Sequence, residues 1–104
     1  MKKDFFKLYN DLYLEFFTPK RNKNADGFFD VLDNTGMFDG YIIFIKKSLS
    51  LKRKIEVFNH ELVHYIAKCK FQLEHKEEKL AQRIEKITER FLKILKKYDY
   101  EISK

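Results

Sequence analysis

The apolar positions of this chain fall into blocks separated by polar punctuation. From Asp4 to Phe17, the residues Phe5, Leu8, Tyr9, Leu12 and Phe16 recur every three to four positions, with Phe6, Tyr13 and Phe17 widening the stripe. That spacing predicts an N-terminal helix packed on a core. Thr18-Pro19 ends it, because the residue before proline is pushed out of the helical region, and 20–27 (KRNKNADG) reads as a loop. Phe28 to Leu32, the turn composition Asp33-Asn34-Thr35-Gly36 and then Met37 to Lys46 read as a hairpin, with Gly40 marking a bulge or a close approach. Tyr41-Ile42-Ile43-Phe44-Ile45 does not alternate, which predicts a strand covered on both faces.

The second half of the chain reads as two helices. Ser48 and Ser50 are candidate N-caps for a helix from about Leu51 to Cys69, with Ile55, Phe58, Leu62, Ile66 and Cys69 as its main buried stripe. Val57, Val63 and Ala67 flank that stripe, so this helix is expected to be apolar nearly all round and central to the domain. After a short connection over 70–75, Lys76 to about Tyr98 carries Leu80, Ile84, Ile87, Phe91, Ile94 or Leu95, and Tyr98 at heptad-like spacing. One clear face over three heptads predicts packing within the domain rather than a coiled coil. The fold class expected is α+β: an N-terminal helix, a small antiparallel sheet, and a helix packed antiparallel to a long C-terminal helix, all in one domain over 1–104.

Composition sharpens this in three ways. With 104 residues, 44% of them apolar and 11 of them Phe, the chain has enough to bury for a single small core. Cys69 is the one cysteine, so no internal disulfide forms, and it reads as a packing residue. The opening Met1-Lys2-Lys3-Asp4 does not read as a signal peptide, and no apolar run approaches the roughly 20 residues of a membrane span. A cytoplasmic protein without membrane contact is the expectation. The net charge of +6 permits contact with nucleic acid or an acidic partner. It reads first as a solvated, Lys-rich surface, and nucleic acid is not expected as a direct ligand, because no Arg-rich or aromatic-basic cluster stands out.

The candidate chemistry lies in Val57-Phe58-Asn59-His60-Glu61-Leu62-Val63-His64-Tyr65-Ile66-Ala67. On a helix, His60 and His64 sit one turn apart on one face, so both imidazoles can reach a single metal ion. Glu61 lies about 100° round from His60, beside the ligands, where it can act as general base towards water that the metal acidifies. This is the His-Glu-x-x-His arrangement of zinc peptidases; its bland alternative is two ordinary surface histidines, and only three histidines occur in the chain. A third ligand is expected from Glu77 or Glu78, at the start of the last helix and at a height similar to His64. Helical phase favours Glu77, which shares a stripe with Ala81 and Ile84; whichever glutamate is unbound stabilises the helix N-terminus.

Asp39-Gly40-Tyr41-Ile42-Ile43-Phe44-Ile45, the Ser48-Leu49-Ser50-Leu51 segment with its basic neighbours, and His60-Glu61-Leu62-Val63-His64-Tyr65 together resemble the core of the ImmA/IrrE family, metallopeptidases of bacteria and their mobile elements. Glu78-Lys79-Leu80-Ala81-Gln82-Arg83-Ile84 is similar to the family's downstream segment, with Gln for Asn and Ile for Phe. The resemblance implies a zincin-like minimal core, zinc held by His60, His64 and Glu78 (Glu77 being the alternative), and Glu61 as the catalytic base. It further implies a protein substrate, a repressor or other regulator from a phage or mobile element. For the oxyanion, His75, Tyr65 or a C-terminal tyrosine are candidate donors. The competing expectation is a non-catalytic module that zinc stabilises and that binds a regulatory protein. Glu61 argues for catalysis, since a structural site has no use for it and favours four protein ligands, usually with Cys; Cys69 points away from His64.

Overall fold

The computed structural model describes residues 5–19, 25–73 and 77–103. Four strands precede two helices: β1 (Phe5–Tyr9), β2 (Leu12–Phe17), β3 (Gly27–Asn34), β4 (Met37–Lys46), α1 (Leu51–Leu73) and α2 (Glu77–Ser103). The architecture is α+β, with one mixed sheet in the order β1-β2-β4-β3. β1 and β2 pair antiparallel, as do β3 and β4, whereas β2 and β4 run parallel from Leu12↔Tyr41 to Phe17↔Lys46.

Two expectations are corrected. The segment predicted as an N-terminal helix is a β-hairpin, and the sheet is mixed rather than antiparallel. Leu8, Leu12 and Phe16 satisfy a helical period, but Leu12, Leu14 and Phe16 also satisfy a period of two, and all are buried. Asn10-Asp11, a turn pair, stands between Tyr9 and Leu12, which face each other across the hairpin. Six aromatic side chains in this stretch favour a pleated surface. The parallel β2–β4 pairing joins residues about thirty positions apart and has no local signature.

The second hairpin forms as its sequence predicts. Thr35 (φ 52°) and Gly36 (φ 79°) supply the two positive φ angles of a type I′ turn. The register slips between Leu32 and Asp33, opposite Gly40, which is the expected bulge. Gly40 (φ 141°) also lies against the Asp11 carbonyl, 2.7 Å from where a Cβ would stand, while Tyr41 N–H donates to that same oxygen at 2.7 Å. β4 is therefore an interior strand, with Tyr41, Ile42, Ile43 and Ile45 buried. One face, through Tyr41, Ile43 and Ile45, joins the core beneath the helices. On the other, Phe44 stacks on Phe28 (4.3 Å) with Phe17 edge-on to both.

Ser50 caps α1: its Oγ accepts from Arg53 N–H at 3.2 Å and its carbonyl from Lys54 N–H at 2.9 Å. The helix buries Val57, Phe58, Leu62 and Tyr65 between the sheet and α2. It is not apolar all round as expected, since Val63 (62% exposed) and Ala67 face solvent with both histidines. From α2, Ile87, Phe91, Leu95 and Tyr98 are buried, the stripe that the heptad-like spacing marks. Phe58 and Phe91 stack at 3.7 Å and 3° between planes. Lys54, 3% exposed, places its ammonium 5.7 Å from the Phe16 ring and 5.2 Å from the Tyr98 ring, so its charge rests on aromatic faces. The Cys69 side chain lies outside the described residues, as does the connection over 74–76.

Because Phe58 and Phe91 are fully buried against each other, Phe58→Ala should destabilise the fold by about 3–5 kcal/mol, measured by urea unfolding. A loss under about 1 kcal/mol would mean that this ring pair is not the centre of the helix packing.

Candidate metal centre

The phase of α1 decides which side chains meet. Burial of Val57, Phe58, Leu62 and Tyr65 leaves His60 and His64 at the margin of the buried face, open to solvent, with Glu61 buried beside them. His60, His64 and Glu61 each offer one ligand atom, and these atoms all lie within 4.8 Å of one another. The imidazole centroids are 5.5 Å apart, and His64 Nε2 lies 4.0 Å from Glu61 Oε1. Glu61 is 7% exposed, in contrast to the two histidines. Two exposed nitrogen donors and a sheltered carboxylate form a group whose donor chemistry could hold a divalent metal ion.

β3 walls the site. Among the described residues it is the last strand in the order, and Phe29 stacks on His64 at 6.1 Å and 25°. At its start Gly27 packs on α1 so closely that a Cβ would run into Val57 Cγ1 and come within 2.6 Å of the Phe44 carbonyl. Between the start of β3 and α1 lies an open cleft of about 420 Å³, whose lining includes His60, Glu61, Glu56, Arg53 and Asp26. Arg53 bridges the two elements, its Nε donating to Asp26 Oδ2 at 2.9 Å, with Glu56 Oε1 3.7 Å from a terminal nitrogen. Among the described residues the edge strand beside the motif helix is β3, while β4 is interior.

The proposed third ligands stand differently from the histidines. Among the described residues the gathered donors are His60, Glu61 and His64 alone. Glu78 is exposed at the second position of α2; the Glu77 side chain lies outside the described residues. Contacts between the helices pair Phe58 with Phe91 and Tyr65 with Arg83, which sets His64 level with about Ile84. Glu78 is then six residues nearer the start of α2, roughly 9 Å along its axis. The expectation of equal heights assumed that α1 ends near Cys69, and it continues instead to Leu73.

Sequence reasoning missed a polar cluster behind the motif. Tyr65, 0% exposed, donates its hydroxyl to Asp11 Oδ1 at 2.7 Å; Arg83 donates to the Tyr65 oxygen at 3.3 Å, stands 3.9 Å from Asp11 Oδ2 and covers the Tyr9 ring at 4.8 Å. One turn of the first hairpin is thus tied to both helices next to His64. Asn10-Asp11 between alternating apolar residues was the available signal. Of the oxyanion candidates, Tyr65 is committed to this cluster, Tyr98 is buried, and His75 and the Tyr100 side chain lie outside the described residues. No helix among the described residues is long and apolar enough to cross a membrane. No family model matches the chain, and neither a curated protein nor a solved structure matches it.

Tyr65→Phe removes a hydrogen bond to a partly exposed carboxylate and should cost about 1–2 kcal/mol in urea unfolding. An unchanged midpoint would show that the Asp11 contact does not anchor α1.

Proposed function

We propose that the chain is a zinc-dependent endopeptidase acting on a protein substrate, built on a zincin-like minimal core. The observation that carries this reading is the gathering of His60, His64 and the sheltered Glu61 within 4.8 Å of one another, with His60 and Glu61 lining an open cleft beside the edge strand β3. A zinc ion held by the histidines would polarise a scissile carbonyl and acidify water.

The chain's own residues do the rest. Glu61, buried beside the histidines, accepts the proton of the attacking water and later passes it to the leaving amine. β3, the edge strand among the described residues, pairs with the substrate backbone and holds an extended segment past His64, as strand addition does elsewhere. Phe29 keeps the His64 ring in place through stacking. Glu78 is the third ligand in this reading, supported by the resemblance to the ImmA/IrrE family, with Glu77 as its alternative; either needs the first turns of α2 to approach His64. The substrate class is a repressor or other regulator of a phage or mobile element, and the setting cytoplasmic. The open pair of histidines with a carboxylate at the base position supports catalysis over the alternative, a zinc-stabilised interaction module, which calls for a closed site of four protein ligands.

The test compares zinc-loaded wild type with Glu61→Gln on regulators encoded beside it. Wild type should cleave at a defined bond, and the variant, with its zinc retained, should cleave about 10²- to 10⁴-fold more slowly. Equal cleavage by both would remove Glu61 from the mechanism, and zinc binding without cleavage by either would favour the interaction module.

A further inference from the structure

Helix α2 gathers charge that the linear sequence disperses. Lys79, Arg83, Lys86, Arg90, Lys93 and Lys97 follow one another at intervals of four, three, four, three and four. At about 100° per residue these six fall within a sector of roughly 80°, and they run for roughly 27 Å along the helix. The buried stripe of Ile87, Phe91, Leu95 and Tyr98 lies to one side of this sector, and Glu78, Glu85 and Glu89 lie to the other. Five of the six basic residues are exposed; Arg83, half-buried, belongs to the Tyr65–Asp11 cluster.

β1 extends the basic surface. Between it and α2 lies an open groove of about 420 Å³ lined by Lys7, Tyr9, Lys86, Arg90 and Lys93, with Glu89 as its one carboxylate among the described residues. Glu89 stands 3.6 Å from Lys93, an exposed pair that leaves the groove strongly positive. Arg90 Nε donates to the Lys7 carbonyl at 2.6 Å, which fixes the guanidinium on the groove wall and occupies part of the β1 edge.

We propose that this stripe and groove bind the phosphate backbone of nucleic acid, without reading base sequence. Two features favour a polyphosphate over an acidic protein. Protein interfaces are centred on apolar or aromatic anchors and are poor in lysine, whereas Leu92, the large exposed hydrophobic of α2 among the described residues, lies well round the helix from the stripe. A row of flexible lysines along a straight edge is also the pattern that neutralises regularly spaced phosphates. The proposal does not depend on the metal centre, which uses other residues on α1.

The test titrates a fluorescent DNA duplex of about 20 base pairs with the full chain between roughly 50 and 200 mM salt, the range over which phosphate contacts weaken sharply. Wild type, K86E/K93E and K52E/K68E are compared, the last making the same charge change at exposed positions of α1. Wild-type affinity should fall with salt at a log–log slope of magnitude about three or more. K86E/K93E should bind at least about tenfold more weakly, with a slope smaller by about two, while K52E/K68E stays near wild type. K86Q/K93Q carries the comparison should charge reversal alter the circular dichroism spectrum. Absence of binding at low salt, or equal losses in the two reversed variants, would overturn the proposal. So would tighter binding of a polyglutamate of matched charge, which would give the surface to an acidic protein.

Discussion

The rotation of α1 about its own axis is the constraint on which the rest of the molecule depends. Val57, Phe58, Leu62 and Tyr65 must be buried together, and at 100° per residue that choice leaves His60 and His64 at the solvent margin and Glu61 sheltered on the buried side of them. Phe58 on Phe91 holds the phase from the side of α2, and the Tyr65 hydroxyl on Asp11 holds it from the side of the first hairpin. A modest turn of the helix would bury an imidazole or expose Tyr65. Core packing and the arrangement of metal donors are thus consequences of the same rotation.

The sheet sets the surroundings of that face. Among the described residues its order places β3 at one edge, and Gly27 lets this strand approach α1 closely enough for Phe29 to reach His64. The opposite edge, β1, is held by Arg90 and turned towards the basic flank of α2. The two edges consequently differ in chemistry: one lies beside nitrogen and carboxylate donors, the other beside ammonium and guanidinium groups.

Local patterns were legible in the sequence and non-local ones were not. Ser50 as cap, the stripe of α2 and the Thr35-Gly36 turn each rest on residues within a few positions of one another, and each appears in the structure. The pairing of His60 with His64 was legible for the same reason. The first hairpin was misread because Leu8, Leu12 and Phe16 fit a helical period while Leu12, Leu14 and Phe16 fit a strand; tertiary pairing with β4 decides between them. The level of Glu78 relative to His64 depends on the length of α1, and no residue near Cys69 marks the four further helical positions to Leu73. Asp11, Tyr65 and Arg83 come from three separate elements, so no spacing along the chain announces their meeting.

The most direct measurement of the central claim is the metal content of the purified protein by mass spectrometry, with His60→Ala and His64→Ala alongside. The account predicts about one zinc per wild-type chain, the stoichiometry of a single site, and little or none in either variant while both keep the helical circular dichroism of the wild type. Wild-type protein that takes up no zinc even after reconstitution, or variants that hold as much as it does, would contradict the account, and His60 and His64 would then be ordinary surface residues of a well-packed helix.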